Sequence, residues 1–183
     1  MKKLTLLFLS SIMMLFTACG TETRLNNPTR FDMWEYMTSP IDYKVQYRVY
    51  ENGSANDYTI EYHRMFDNKY QRDGSDGLIT LFLNSGTILM REPLQDVTID
   101  RYVHLHDQNI FRGEFIRSCS LEQYYRTYVV QDSSFNNVLM VKCTSKSGVK
   151  QEFYYGYSEG LVAIYKDDGV NKIELVKVNE TAL

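Results

Sequence analysis

Apolar and polar side chains alternate with a period of two residues along most of the chain. Between residues 43 and 50, large apolar or aromatic side chains occupy the odd positions and mostly polar ones the even positions. This alternation is typical of a strand with one buried face. It resumes with Tyr58, Ile60 and Tyr62 after Asn52-Gly53-Ser54, a turn-forming sequence that supplies positive φ.

The same succession of apolar runs and short turns continues to the end of the chain. Further turn-like segments occur at residues 67–68, 73–77, 84–86, 145–148, 156–160 and 168–169. No helical pattern is long enough for the crossover that a parallel sheet requires. The pattern therefore predicts a mainly β protein, an antiparallel meander of about 9–11 strands curled into a half-barrel or barrel, with one or two short helices.

Two segments depart from the strand pattern. Residues 31–37 place Phe31 and Trp34 at helical spacing, with Asp32 as a possible cap and Pro40 beyond, which predicts a short helix. We expect its tryptophan to plug one end of the core, with contact to a ligand as the alternative. Ser120-Leu121-Glu122-Gln123 is typical of a capping box, so residues 120–126 could be helical, although the residues that follow favour a strand.

Residues 78–83 are apolar on both faces of a predicted strand. A sheet with one solvated face would not need this, so we expect another element to cover the outer face. We expect the short helix that contains Trp34 to be the element that covers this face.

Composition narrows the class of protein. The chain has 183 residues, 14% of them aromatic, with 15 Tyr but only 3 Pro and 10 Gly. These values exclude a disordered or collagen-like chain. The formal charge of −3 argues against nucleic acid as a partner, because such a protein needs a basic surface.

The N-terminus has the features of an export signal. Lys2 and Lys3 precede an apolar run over residues 4–16, which is shorter than the about 20 residues of a membrane-spanning helix. Phe16-Thr17-Ala18-Cys19 follows and resembles the lipobox of bacterial lipoproteins, with Phe16 where Leu is usual. An ordinary signal peptide cut elsewhere and a buried apolar strand are the alternatives.

The resemblance implies cleavage before Cys19 and acylation of that cysteine, which anchors the protein in a membrane. Gly20, in place of the Asp that retains lipoproteins of enteric type in the inner membrane, implies the outer membrane. We expect the anchored protein to face the periplasm. The predicted organisation is a signal peptide (1–18), an acylated cysteine with a flexible tether (19–30), and a single β-domain (31–183). Residues 152–162 are similar to a hairpin of secreted or lipid-anchored bacterial β-domains, and the overall pattern looks like that of the curved-sheet lipoproteins of the Lol sorting type.

Few residues in the sequence suggest a metal site or a catalytic site. His104 and His106 share one face of a predicted strand with Asp100 and could bind a metal, but the opposite face is apolar, so solvent-exposed surface is the preferred interpretation. The sequence has no His-Glu-x-x-His pattern, no Gly-rich phosphate loop and no Gly-x-Ser-x-Gly elbow. We therefore expect no catalytic residues, no cofactor and no enzymatic activity.

Cys119 and Cys143 are the cysteines left after acylation of Cys19, and an exported protein favours a disulfide between them. If residues 124–131 form a strand between theirs, the two cysteines are too far apart to bridge. A disulfide then requires residues 121–126 to be a helix or loop.

The numerous tyrosines have two interpretations, a solid aromatic core or the lining of a concave pocket for an apolar ligand. They include Tyr43, Tyr47, Tyr58, Tyr62, Tyr124, Tyr128, Tyr155 and Tyr157. The first functional hypothesis is a non-enzymatic, lipid-anchored envelope protein that binds an apolar ligand or another envelope component. The alternatives are a structural or assembly subunit of an outer-membrane complex without a pocket and, third, a hydrolase with a dispersed site.

Overall fold

The structure is a computed structural model, which describes residues 29–75, 77–170 and 172–183. The predicted signal peptide, Cys19 and most of the tether lie outside the described residues. The elements in chain order are β1 (Phe31–Asp32), α1 (Met33–Met37), β2 (Tyr43–Glu51), β3 (Ser54–Phe66), β4 (Lys69–Gly74), β5 (Gly77–Leu83), β6 (Thr87–Arg91), β7 (Asp96–Asp100), β8 (Tyr102–Val103), β9 (Phe111–Gly113), β10 (Ile116–Val130), β11 (Ser133–Ser145), β12 (Lys150–Gly156), β13 (Gly160–Asp167) and β14 (Lys172–Ala182).

Twelve of these strands form one antiparallel sheet in the order β10-β11-β12-β13-β14-β2-β3-β4-β5-β6-β7-β9. The two edges approach each other, since the backbone nitrogen of Ile110 donates to the Cys119 carbonyl at 3.1 Å and that of Leu121 to the Asp107 carbonyl at 3.1 Å. The sheet is therefore a nearly closed barrel. The predicted mainly β, antiparallel barrel-like fold is confirmed, with one more strand than the upper limit of the expected range.

The barrel interior is filled by one face of each strand. Apolar residues from almost every strand meet there, including Tyr43, Val45, Tyr47, Tyr70, Ile79, Leu81, Ile88, Val97, Ile99, Phe111, Cys119, Leu121, Leu139, Val141, Cys143, Tyr155 and Leu161. Most of them are less than 5% exposed. This burial supplies the main stabilisation of the fold, at about 25 cal/mol per Å² of apolar surface.

The N-terminal segment closes one end of the barrel. Asp32 caps α1 by accepting a hydrogen bond from the Trp34 backbone nitrogen at 3.0 Å, and its carboxylate pairs with Arg101 Nη2 at 2.7 Å. Met33 is fully buried within the interior core, and Trp34 packs against that core. The predicted short helix, its Asp32 cap and its role as a plug are confirmed.

The expected position of this helix over residues 78–83 is wrong. Helix α1 lies against β12 and β13 and buries its apolar side chains in the interior. Leu78, on the outer face of β5, remains 49% exposed. Alternation within β5 places Ile79 and Leu81 inside, and no helix of the described residues covers the apolar side chains on its outer face.

Residues 120–126 form part of strand β10 and not a helix, so the second expected helix is absent from the described residues. The Ser120 hydroxyl donates to the Glu122 carboxylate, so neither side chain caps a helix. Leu121 pairs directly with Val141 of β11, and this long hairpin satisfies the backbone groups that a helix would have used.

A second apolar cluster lies on the opposite face of the sheet. It contains Val130, Phe135, Val138, Tyr154, Val162, Ala163 and Val176. Val138 and Tyr154 alternate along their strands with the interior residues Leu139 and Tyr155, so this cluster is on the outside. The tip of the β10–β11 hairpin reaches β14 there, where the Ser133 hydroxyl donates to the Lys177 carbonyl at 3.2 Å.

Cys119 and Cys143 face each other on adjacent strands and form a disulfide, with Cα atoms 4.1 Å apart. The expectation that a bridge requires a helix or loop over residues 121–126 is wrong. Residues 124–130 belong to the same strand as Cys119, so no third strand separates the two cysteines.

Candidate functional site

A cavity of about 350 Å³ lies inside the barrel. Its lining includes Pro93 and Gln95 in the β6–β7 turn, and Ile116 and Gln151 at the beginnings of β10 and β12. In an up-and-down barrel these positions belong to one end, whereas α1 meets the β12–β13 turn through the hydrogen bond from Ser158 N to the Glu35 carbonyl at the other end. The cavity therefore lies toward the end remote from the N-terminal plug.

The lining is mainly apolar, with few polar groups. The apolar and aromatic side chains are Ile79, Met90, Pro93, Leu94, Val97, Phe111, Ile116, Phe153, Tyr155, Leu161 and Ile164, together with Cys143 of the disulfide. Arg72, Glu92, Gln95 and Gln151 supply the polar atoms. An apolar chamber with a few convergent polar groups, of about 300–1,000 Å³, is typical of a small-molecule site.

Arg72 connects the cavity to a polar network in the barrel interior. Its Nε lies 3.1 Å from Oε2 of Glu61, and the same oxygen lies 3.1 Å from Nε2 of His63. Nδ1 of His63 lies 2.5 Å from the Tyr70 hydroxyl. Glu61 and His63 are 7% and 1% exposed, so the network is shielded from water.

The charge states follow from this environment. Burial raises the pKa of Glu61, but the His63 hydrogen bond and the Arg72 charge more than offset it, so the net pKa is lowered. Burial lowers the pKa of His63 more than Glu61 raises it, and the imidazole is neutral near pH 7. Burial alone would lower the pKa of Arg72, but Glu61 and nearby tyrosines raise it. This network thus pairs one carboxylate with one guanidinium beside a neutral imidazole.

Tyrosine hydroxyls extend the network away from the cavity. The Tyr43 and Tyr70 hydroxyls lie 2.9 Å apart, and Tyr47 donates to the Leu161 carbonyl at 2.9 Å. Gly160, with φ of 71°, permits this arrangement, because a Cβ there would lie 3.1 Å from the Tyr43 hydroxyl. The neutral His63 donates from Nε2 to Glu61, so its Nδ1 accepts from Tyr70.

The predicted tyrosine set divides between several environments. Tyr43, Tyr47 and Tyr155 are buried in the interior, but of these only Tyr155 lines the cavity. Tyr58 and Tyr62 are 51% and 44% exposed on the outer face of β3. The alternation in β3 is therefore the reverse of the expected one, because Glu61 and His63 occupy its interior face.

His104 and His106 do not lie on a strand, as the sequence analysis expected. They occupy the turn after β8, where His106 has φ of 70° and His104 pairs with Asp107 at 3.4 Å. Asp100 instead pairs with Arg112 at 2.6 Å. In the described ranges, no group of three or more His, Cys, Asp or Glu side chains is arranged to hold a metal ion.

Glu61, His63 and Arg72 were missed by the sequence analysis. They carry no motif, and a polar residue at every second position of β3 favours solvent exposure. The strong apolar character of Tyr58, Ile60 and Tyr62 favoured the other face of β3 as the buried one and so hid these residues.

No protein-family model matches the sequence, and no curated protein matches it. Among solved structures, one similar chain is described as "a putative lipoprotein from Parabacteroides distasonis ATCC 8503". The TM-score is 0.42 at 8% sequence identity, and the match covers 80% of this chain and 98% of that chain. At this level of similarity the site has to be interpreted from its own geometry.

Within the described residues, no helix combines the length and the apolar character needed to cross a bilayer.

Proposed function

We propose that the protein is a lipid-anchored protein of the cell envelope that binds an apolar ligand inside the barrel and does not act as an enzyme. The observation that carries the ligand is the cavity of about 350 Å³ with its largely apolar lining. The support for the anchor is the sequence up to Cys19, which resembles a lipobox. The finer part of this proposal is a location at the outer membrane, which Gly20 supports, with the domain facing the periplasm.

The alternative is an assembly subunit without a ligand, and the structure offers a surface that favours it. Tyr58, Ile60, Tyr62 and Leu78 are each at least 40% exposed on the outer faces of β3 and β5. Exposed apolar patches of this kind mark protein interaction sites. The two functions differ in what accompanies the protein when it is extracted from its membrane.

Native mass spectrometry of the detergent-extracted, full-length gene product tests both the lipid anchor and the bound apolar ligand. We expect a mature N-terminus at the acylated Cys19 and an additional bound small molecule. Cys19→Ala should leave the protein unprocessed or free of the membrane. A mature N-terminus elsewhere would contradict the anchor.

A cavity-blocking variant separates ligand binding from assembly. Ile116→Trp places a large side chain into the lining, whereas Val129→Trp enlarges an exposed residue of the same strand, 68% exposed. We expect the bound molecule to be lost from the first variant and retained by the second. Extraction of the unmodified protein with a protein partner and no small molecule would favour the assembly function instead.

A further inference from the structure

The polar part of the cavity presents hydrogen-bond donors in excess of acceptors. A guanidinium carries five N–H donors. Arg72 uses Nε toward Glu61, and within the described part of the chain its two terminal nitrogens have no hydrogen-bond acceptor. Because the side chain lines the cavity, its remaining accessible surface of 21% lies toward that space.

Tyr155 supplies a second donor at the same place. Its ring is buried at 6% exposure and lines the cavity, and its hydroxyl donates to no other described residue. Burial raises the pKa of Tyr155 despite the opposing effect of Arg72, so the hydroxyl keeps its proton. Arg72 and Tyr155 line the same cavity, so both donors belong to one region of the interior.

Donors of residues that line a largely apolar cavity would gain a hydrogen-bond acceptor from a ligand oxygen placed there. We propose that the ligand is a monoanionic amphiphile, a long-chain carboxylic acid, whose carboxylate accepts hydrogen bonds from Arg72 and Tyr155. This inference rests on the proposed function and names its ligand class. The hydrocarbon chain lies among Phe111, Phe153, Leu161 and Ile164.

The charge around the cavity limits the head group to one negative charge. The Glu61 carboxylate already compensates the positive charge of Arg72, which it contacts at Nε, and Glu92 lines the same cavity. A carboxylate can still accept from the free end of the guanidinium, because bidentate geometry suits that pair. Glu61 and Glu92 would repel a dianionic phosphate monoester about twice as strongly as a monoanionic carboxylate.

The test compares three probes with the same chain length, which are palmitate, methyl palmitate and hexadecyl phosphate, added to the detergent-extracted, delipidated protein at pH 8. Bound fractions are measured by native mass spectrometry. We expect palmitate to bind at least about tenfold more tightly than the ester, since a hydrogen bond to a charged group is worth that factor or more. We expect hexadecyl phosphate to bind more weakly than palmitate.

Tyr155→Phe gives a variant that removes one donor and keeps the ring. Because the hydroxyl has no partner among the described residues, this change should leave the folded protein intact. It should weaken palmitate binding about tenfold and methyl palmitate binding much less, because the neutral ester carbonyl accepts a weaker hydrogen bond than a carboxylate. Tyr157→Phe, at an exposed position of the following turn, should change neither. Arg72→Lys should also weaken palmitate selectively.

The outcomes separate this inference from the proposed function. Equal binding of palmitate and its methyl ester, or an equal effect of Tyr155→Phe on both, would overturn the carboxylate assignment while the apolar site stands. Tighter binding of hexadecyl phosphate than of palmitate would overturn the restriction to one charge. Binding of none of the three probes would overturn the proposed function together with this inference.

Discussion

At the scale of single residues, the most unusual feature is an ion pair and a neutral histidine in the middle of a β-barrel. Glu61 accepts from His63 and pairs with Arg72, so its carboxylate is compensated twice. Buried pairs of this kind add little net stability over apolar residues, but removing one partner is costly. The arrangement fixes the side chain of Arg72 against the cavity wall.

The neutral state of His63 makes stability depend on pH. Burial lowers its pKa from the usual 6.5, and Arg72 and Lys177 act in the same direction. Below about pH 6.5 the unfolded chain gains a proton at this imidazole that the folded protein does not. The free energy of unfolding should therefore fall as the pH decreases from 7 to 5, with a slope of up to about 1.4 kcal/mol per pH unit.

Urea unfolding at several pH values measures this slope. His63→Gln should reduce it between pH 5 and 7, and His104→Gln, which changes an imidazole that is 58% exposed, should leave it in place. A wild-type slope that survives in His63→Gln would show that another group carries the pH dependence.

The sequence could not reveal this network because hydrophobic alternation carries no information about buried polar pairs. In β2, every odd position from Tyr43 to Tyr47 is apolar and buried, and the prediction was correct. In β3 the interior positions are Glu61 and His63, so the same rule selected the wrong face. Arg72 of β4 lies beside them only in the folded barrel, where its positive charge compensates the buried carboxylate of Glu61.

At the scale of elements, the β10–β11 hairpin is defined by its disulfide. Cys119 and Cys143 are direct partners in the register and close a loop with a sequence separation of 24 residues. Such a crosslink stabilises a protein mainly by restricting the unfolded chain. It also ties an edge strand of the sheet to its neighbour, next to the place where the barrel closes.

Reduction should lower the free energy of unfolding by about 3 kcal/mol, the value expected for a loop of this length. Thermal unfolding with and without a reductant measures the difference. The double variant Cys119→Ala/Cys143→Ala should have the lower stability in both conditions and no sensitivity to the reductant. Two free thiols in the folded protein extracted from an oxidising compartment would contradict this prediction.

The sequence predicted many of the strands, turns and the short helix, but it did not predict how these elements pack against each other. The Asn52-Gly53 turn was identified from its residues, and both adopt positive φ in the structure. The capping-box pattern at Ser120 failed, because pairing of β10 with β11 outweighs a local preference for helix. The position of α1 at one end of the barrel depends on Arg101 and on β8, which are distant in sequence and cannot be deduced from a local pattern.

At the scale of the whole molecule, two apolar clusters share the same strands. The interior cluster and the outer cluster use alternating residues of β11 to β14, as Leu139 and Val138 show. Loss of one cluster should therefore destabilise the other. We expect the protein to unfold in a single cooperative transition.

Phe135→Ala tests this coupling, because Phe135 is 7% exposed in the outer cluster. The change should cost about 3–5 kcal/mol. Fluorescence of Trp34, the single tryptophan, reports on the N-terminal plug, and far-UV circular dichroism reports on the strands. Both transitions should shift by the same amount, whereas Phe115→Ala, at 49% exposure, should shift neither. Separate transitions for the two probes would mean that the clusters unfold independently.

The pairing of β2 with β14 has a consequence for how the chain reaches its native state. Most other neighbouring strands are close in sequence. Tyr43 pairs with Ala182, so β2 cannot complete its pairing in the sheet before β14 is present. Such long-range contacts slow folding, typically to milliseconds or seconds. During synthesis or export, one edge of β2 stays open until the residues of β14 are available, and an open edge can pair with another chain. A chaperone that holds the nascent chain until β14 is available would therefore raise the yield of native protein more than one that acts after the barrel has closed.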